Sequence, residues 1–345
     1  MNIKKLTITS LLIGIIVYVF IGFGVGLPEL IKAVNKIKYS YLLLAILAYA
    51  FNLFLATLRW KKITDEAKIK IGLWKLYLMT LAGLTFSNIT PSSRMGGEPV
   101  RAYFLNQHSK TKMKDSFATI VSARIFDAII FTLISIIIFS YSIFKLQLPS
   151  FINLLLLISL IIAIVIIWFI VYISVKPKAA EKLSLWLIKK FKRFSKTMQQ
   201  KNFENKIKKE IKEYSENMDK FLKTKKLWIN CSIYTILMWV FDVLRMYLIF
   251  LGLGLEVNPA MLLIVLVLSG LAGGIPLFPG GIAITESTMI LVYSSFSIPL
   301  AIAGVATVLD RLIYFWLYTF IGLIASYKLG IKKYEEYEEK ERQSD

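Results

Sequence analysis

The sequence predicts an all-α polytopic membrane protein. Three observations carry that prediction. Apolar runs of about twenty residues recur along the chain, each long enough to cross about 30 Å of hydrocarbon as a helix. The Lys and Arg residues collect between those runs rather than within them. Two Gly/Pro-rich interruptions fall at corresponding places in the two halves. The mean hydropathy of +0.63 and a 57% apolar composition agree with a chain whose solvent is largely lipid.

In chain order, the full spans are expected at residues 6–26, 41–58, 116–139, 151–175, 227–251 and 300–327. The first follows Lys4 and Lys5, is longer than a usual signal-peptide core and is followed by no A-x-A site, so it is read as a retained signal-anchor. Two shorter apolar stretches, 71–90 and 261–275, run into the polar segments TPSSRMGGEP and GGIPLFPGGIAITES.

The net charge of +20 would suggest nucleic acid in a soluble protein. In a membrane protein it sets orientation instead, because Lys and Arg are retained in cytoplasmic loops, and no nucleic-acid partner is expected. Lys4 and Lys5 place the N-terminus in the cytoplasm, and the second span returns there at Arg59, Lys61 and Lys62. If 71–90 crossed fully, the seventeen Lys/Arg of residues 176–226 would lie outside, against the positive-inside rule. A re-entrant hairpin over 71–108 removes the conflict. A second hairpin over 261–293 enters from the other face. The expectation is therefore six full spans, two re-entrant hairpins and both termini in the cytoplasm of a cell-membrane protein. Irregular backbone at membrane depth is tolerated only where protein buries it or water reaches it, so two such segments imply a cavity.

The halves also correspond in sequence. Pro91 precedes Glu98 by seven residues and Pro279 precedes Glu286 by seven, at an offset of 188. Arg124 corresponds to Arg311 at nearly the same offset, with Asp127 and Asp310 beside them. Asp242 and Arg245 precede the second hairpin, where the first half has Asn52 and Arg59. Residues 40–142 and 227–328 are thus read as an inverted repeat within one integral membrane domain covering 1–345, with 329–345 as a cytoplasmic tail. Between the repeats, Leu183, Leu187, Phe191, Phe194 and Met198, then Ile207, Ile211, Tyr214, Met218 and Phe221, follow helical spacing. Residues 176–226 are expected to form a basic helical hairpin, either a solvated structural pair or a surface for an anionic leaflet.

Ionisable side chains inside spans are costly and mark pathways or structural locks. The candidates are Arg94, Glu98, Arg101, Arg124, Asp127, Asp242, Arg245, Glu286, Asp310 and Arg311. Arg124 with Asp127, and Asp242 with Arg245, stand three apart on one helical face. Gly96, Gly97, Gly280 and Gly281 precede expected half-helices, with Pro99 at a first helical position. Unpaired N–H groups there favour an anion such as phosphate, and glycine lets a headgroup approach the backbone. Alternatively the glycines and prolines only make the turns. Cys231 and His108 stand alone, so no disulfide framework and no zinc cluster is expected. Without a nucleophile–base pair, a metal-ligand spacing or a nucleotide loop, no catalysis and no cofactor is expected.

The strings TPSSRMGGEPVRAYFL, SARIFDAIIF, IPLFPGGIAITES and TVLDRLIYF resemble those of the lysylphosphatidylglycerol synthase/flippase transmembrane-region family. The shared patterns are Gly97-Glu98-x-x-Arg101, Arg124-x-x-Asp127, Pro279 through Glu286, and Arg311. The resemblance spans essentially the whole chain and implies a phospholipid flippase module; in the best-known members a soluble aminoacyltransferase domain follows that region, and none is expected here. The function expected is translocation of a phospholipid or lipid-linked anionic headgroup by alternating access, with Arg124 and Arg311 facing one central cavity and contacting phosphate. The arginines would neutralise phosphate, and Glu98 and Glu286 would take a cationic headgroup part or a coupling proton. The alternative is a non-transporting membrane subunit or anchor for a lipid-modifying enzyme or glycosyltransferase partner. Membrane lipids are the expected partners in the first reading.

Overall fold

The computed structural model describes residues 37–90, 96–146, 148–175, 181–182, 186, 224–275 and 278–330, with Leu12 and Asn35. The expected first span, nearly all of the basic loop at 176–226, most of the tail and Arg94 lie outside the described residues. The described chain is helical, without a strand. Its helices are α1 (Tyr39–Glu66), α2 (Leu73–Ile89), α3 (Gly97–Ser109), α4 (Met113–Lys145), α5 (Ser150–Val175), α6 (Lys225–Gly252), α7 (Pro259–Ala272), α8 (Ile284–Ser295) and α9 (Leu300–Lys328).

Among the described residues, α1, α4, α6 and α9 are long and apolar enough to cross a membrane. At 28 to 33 residues and a rise of about 1.5 Å per residue, each exceeds the hydrocarbon thickness. The expected span at 151–175 coincides with α5, whose described apolar part, Ser150–Ile166, is shorter. Helix α5 turns Leu154, Leu155, Ile158, Ile161 and Ile162 outward, an apolar surface suited to hydrocarbon rather than water.

The two interrupted segments fold as helix pairs. Helices α2 and α3 have 17 and 13 residues, and α7 and α8 have 14 and 12. Helix α7 begins at Pro259, with the Asn258 side chain accepting from the Ala260 N–H at 2.9 Å. This combines an N-cap with proline at N1, where no N–H is needed. Pro99 is the third residue of α3, not the first. It still lies in the first turn, where backbone N–H groups lack intrahelical partners. Before α8 the chain turns through Gly280 and Gly281, with φ of 58° and 69°, conformations that glycine adopts without a Cβ penalty.

Helices α1 and α6 form the centre and run antiparallel. The Lys38 N–H donates to the Gly252 carbonyl at 2.9 Å, Asn52 Nδ2 to the Met238 carbonyl at 2.7 Å and Arg59 Nη1 to Thr235 Oγ1 at 2.7 Å. As one number rises along these pairs the other falls. Helix α2 packs on the last part of α9 in the same antiparallel sense. Gly322 sits against the Leu81 carbonyl and Thr85, Thr85 Oγ1 donates to the Thr319 carbonyl at 2.9 Å, and Asn88 Nδ2 to Thr319 Oγ1 at 2.8 Å. Between its α-helical parts, α9 contains a π-helical turn over Arg311–Leu317. Such turns are rare and cluster at functional sites.

Candidate functional site

Three helices of the first half, α1, α3 and α4, bring charge together. Arg59 stands in the last two turns of α1, where its side chain is 6% exposed. Its Nη1 and Nη2 donate to Asp127 Oδ1 at 2.5 Å and Oδ2 at 3.1 Å, a bidentate pairing that only a guanidinium makes. On α4, one turn before Asp127, Arg124 donates through Nε to Glu98 Oε1 at 2.8 Å and also through Nη2 to the same oxygen. Glu98 lies in the first turn of α3, where the helix dipole favours a carboxylate.

The second half repeats the arrangement. Arg245 on α6 donates through Nε to Asp310 Oδ1 at 2.8 Å and through Nη1 to Asp242 Oδ1 at 2.6 Å. Arg311 on α9 donates through Nε to Glu286 Oε1 at 2.6 Å, and Glu286 stands in the first turn of α8. In both halves the glutamate accepts through Oε1 from an arginine Nε, and in both its Oε2 is buried without a hydrogen-bond partner. Arg59 therefore corresponds to Arg245, at an offset of 186.

The two glutamate–arginine pairs differ in exposure. A cavity of about 370 Å³ is lined by Asn52, Arg59, Ser87, Glu98, Arg101, Arg124, Asp127, Asp242, Arg245 and Asp310, among others. The Arg124 side chain is 47% exposed there and its Glu98 partner 12%. Arg311 and Glu286 are 0% and 1% exposed and lie off the cavity wall. The expectation that Arg124 and Arg311 line one cavity therefore holds for Arg124 alone. Arg311 is enclosed by Phe315, whose ring centroid is 4.3 Å from the guanidinium, and by Tyr314, which accepts from Nη1. Tyr314 also lies 4.7 Å from the Arg245 guanidinium and reaches the cavity, so it links the cavity-lining Arg245 to the sealed Arg311.

The glycines serve packing. A Cβ on Gly97 would meet the Gly83 carbonyl oxygen at 1.9 Å, and one on Gly280 would meet the Phe315 ring at 2.3 Å and the Asn88 carbonyl at 2.7 Å. Gly281 lies against Gly273, Gly96 is the N-cap of α3, and the Gly97 N–H donates to Ser87 Oγ at 3.2 Å. At Gly97, Gly280 and Gly281 protein atoms fill the space beside the backbone, so the close approach that glycine permits there is between protein segments. Sequence reasoning placed Arg59 among the topogenic charges and missed Trp60, Gly83 and Tyr314. The signal for Arg59 was its near-equal spacing to Arg245 as Glu98 has to Glu286.

The family described as "Lysylphosphatidylglycerol synthase TM region" matches residues 7–322, which include every residue of both networks. The chain belongs to this family. A UPF0104 membrane protein of Methanothermobacter thermautotrophicus is 31% identical over 91% of this chain and 93% of its own length. A UPF0104 membrane protein of Pyrococcus horikoshii is 30% identical over 90% and 94%. One of Methanocaldococcus jannaschii is 29% identical over 94% and 95%. The match thus covers α1 to α8 and most of α9 rather than one helix pair.

Proposed function

We propose that this protein moves the polar headgroup of a phospholipid or lipid-linked anion across the bilayer by alternating access. The observation that carries the proposal is the unequal exposure of two equivalent glutamate–arginine pairs, Glu98–Arg124 and Glu286–Arg311. In an inverted repeat, the two halves exchange conformations to open opposite faces. A state with the Glu98–Arg124 pair on a polar cavity and the Glu286–Arg311 pair sealed is one end of such an exchange. The antiparallel α1–α6 contact supports the repeat, since Asn52 touches Met238, its own counterpart at the offset of 186. Charge is expensive at membrane depth, and a cavity lined by guanidinium and carboxylate groups lowers that cost for a headgroup while the acyl tails stay in hydrocarbon.

On this reading, residues 40–142 and 227–328 are the two repeats, and α2–α3 and α7–α8 are re-entrant pairs entering from opposite faces of the cell membrane. Both termini and the basic loop are cytoplasmic. The protein performs no chemical conversion. The test is purified protein in liposomes with fluorescent lipids bearing different headgroups, scored by a membrane-impermeant quencher. The expected result is quenching of the inner-leaflet pool of at least one phosphate-bearing lipid, lost in the Glu98→Gln/Arg124→Gln double variant. A pool that stays protected for every headgroup would favour the non-transporting subunit instead.

A further inference from the structure

Of the described arginines in the two networks, four are committed to carboxylates. Arg59 holds Asp127, Arg124 holds Glu98 and Asp127, Arg245 holds Asp310 and Asp242, and Arg311 holds Glu286. Arg101 lines the same cavity and has no carboxylate partner among the described residues. Its Nε is buried without a hydrogen-bond partner. Glu98, one turn earlier on α3, is already held by Arg124.

The fold nonetheless holds Arg101 in place. Its guanidinium lies 4.0 Å from the centroid of the Trp60 ring, and that ring is fixed by Nε1 donating to Thr119 Oγ1 at 3.1 Å. Its stem crosses Gly83, where a Cβ would stand 2.4 Å from both Cγ and Cδ. The Gly97–Gly83 crossing of α3 and α2 brings the two elements this close. A guanidinium stacked by its face on an aromatic ring keeps its edge N–H groups available, and their planar fork matches phosphate oxygens. A guanidinium at membrane depth without a contacting carboxylate is costly, so a ligand that brings an anionic oxygen pair to it supplies the direct contact the protein leaves open.

Resting on the translocation reading, we infer that Arg101, stacked on Trp60 and seated in the Gly83 notch, is the phosphate-binding group of this cavity. Arg124 and Arg311, which are paired with carboxylates, act as positioning residues. The ligand chemistry is a phosphate oxygen pair, whether of a lipid headgroup or of the free anion.

The test is the thermal unfolding midpoint of the full chain in neutral detergent, alone and with dihexanoyl phosphatidylglycerol, inorganic phosphate or uncharged dihexanoylglycerol. The wild type is expected to shift upward with the phosphatidylglycerol and not with dihexanoylglycerol. A shift with inorganic phosphate as large as the lipid's assigns the site to the free anion, and a shift confined to the lipid assigns it to the headgroup. Both support Arg101 as the phosphate ligand. Arg101→Gln is expected to melt no lower than wild type without ligand, because it removes an unpaired charge, and to lose the shift. Arg101→Lys, which keeps charge but not the fork, is expected to bind at least several-fold more weakly. A ligand shift that persists in Arg101→Gln, equal affinity of Arg101→Lys, or no phosphate-dependent shift in the wild type overturns the inference. The liposome assay fails independently: translocation that survives Arg101→Gln removes this site and leaves transport, whereas binding without translocation removes transport and leaves the site.

Discussion

Arg311→Ala is expected to lose about 3–5 kcal/mol of stability, the cost of leaving a buried carboxylate unpaired. Glu286 is 1% exposed, accepts from Arg311 through Oε1 and has a partnerless Oε2. The pair is sealed from solvent, and no other described cation pairs with Glu286. The equivalent change in the first half is expected to cost much less. The Arg124 side chain is 47% exposed, so water in the cavity solvates Glu98 when Arg124 is removed, and a loss of about 1 kcal/mol follows from the screened pair. Removing both charges of the sealed pair, as Arg311→Met with Glu286→Leu, should recover most of the loss, since a buried ion pair is seldom better than apolar packing of similar volume. Denaturant unfolding of the purified protein in micelles checks all three. Equal costs for Arg311→Ala and Arg124→Ala would mean that the halves are energetically alike, against the unequal exposure on which the proposal stands.

Gly97→Ala is the second large effect, expected at about 3 kcal/mol or more, at the upper end of overpacking costs. The new methyl would lie 1.9 Å from the Gly83 carbonyl oxygen and 2.7 Å from its carbon, and helix backbone cannot yield as a side-chain tip does. Helices α2 and α3 must part, which moves Glu98 and Arg101 relative to the cavity, so translocation should fall together with stability. Gly72→Ala is the control. Nothing lies within 4 Å of its Cβ position and its φ of −72° is ordinary, so it should change stability by no more than about 0.5 kcal/mol. Thermal melts of the two variants beside wild type decide the matter.

The helices were legible because lipid imposes long apolar runs. Expected spans at 116–139, 227–251 and 300–327 fall on α4, α6 and α9 with only their ends displaced. The glutamates and arginines were legible because charge within such runs is costly. Arg59 was not: at the end of an apolar run, followed by Lys61 and Lys62, it reads as a topogenic charge. Only the meeting of α1 with α4, far apart in sequence, buries it on Asp127. The glycines were seen as sites for the right physical reason, close approach, but sequence does not say whether a ligand or another helix approaches. Gly83 illustrates the converse, since a glycine within an apolar stretch carries no mark of the arginine stem it accommodates. Nor does a repeat in sequence say which half is open, because the two conformations share every local preference.

The central claim is that the Glu98–Arg124 and Glu286–Arg311 pairs exchange exposure, and Thr307 reports it most directly. Thr307 lies one turn before Arg311 on α9, is 0% exposed and has a buried hydroxyl without a hydrogen-bond partner. Leu84 lines the open cavity in the other half. In a Cys231→Ala background, Thr307→Cys and Leu84→Cys are each treated with a small water-soluble thiol reagent in liposomes, at rest and while a phosphate-bearing lipid is being translocated. The account predicts that Leu84→Cys reacts at rest, and that Thr307→Cys is inert at rest and becomes reactive during turnover. Thr307→Cys that stays inert while lipid crosses at the wild-type rate would contradict it.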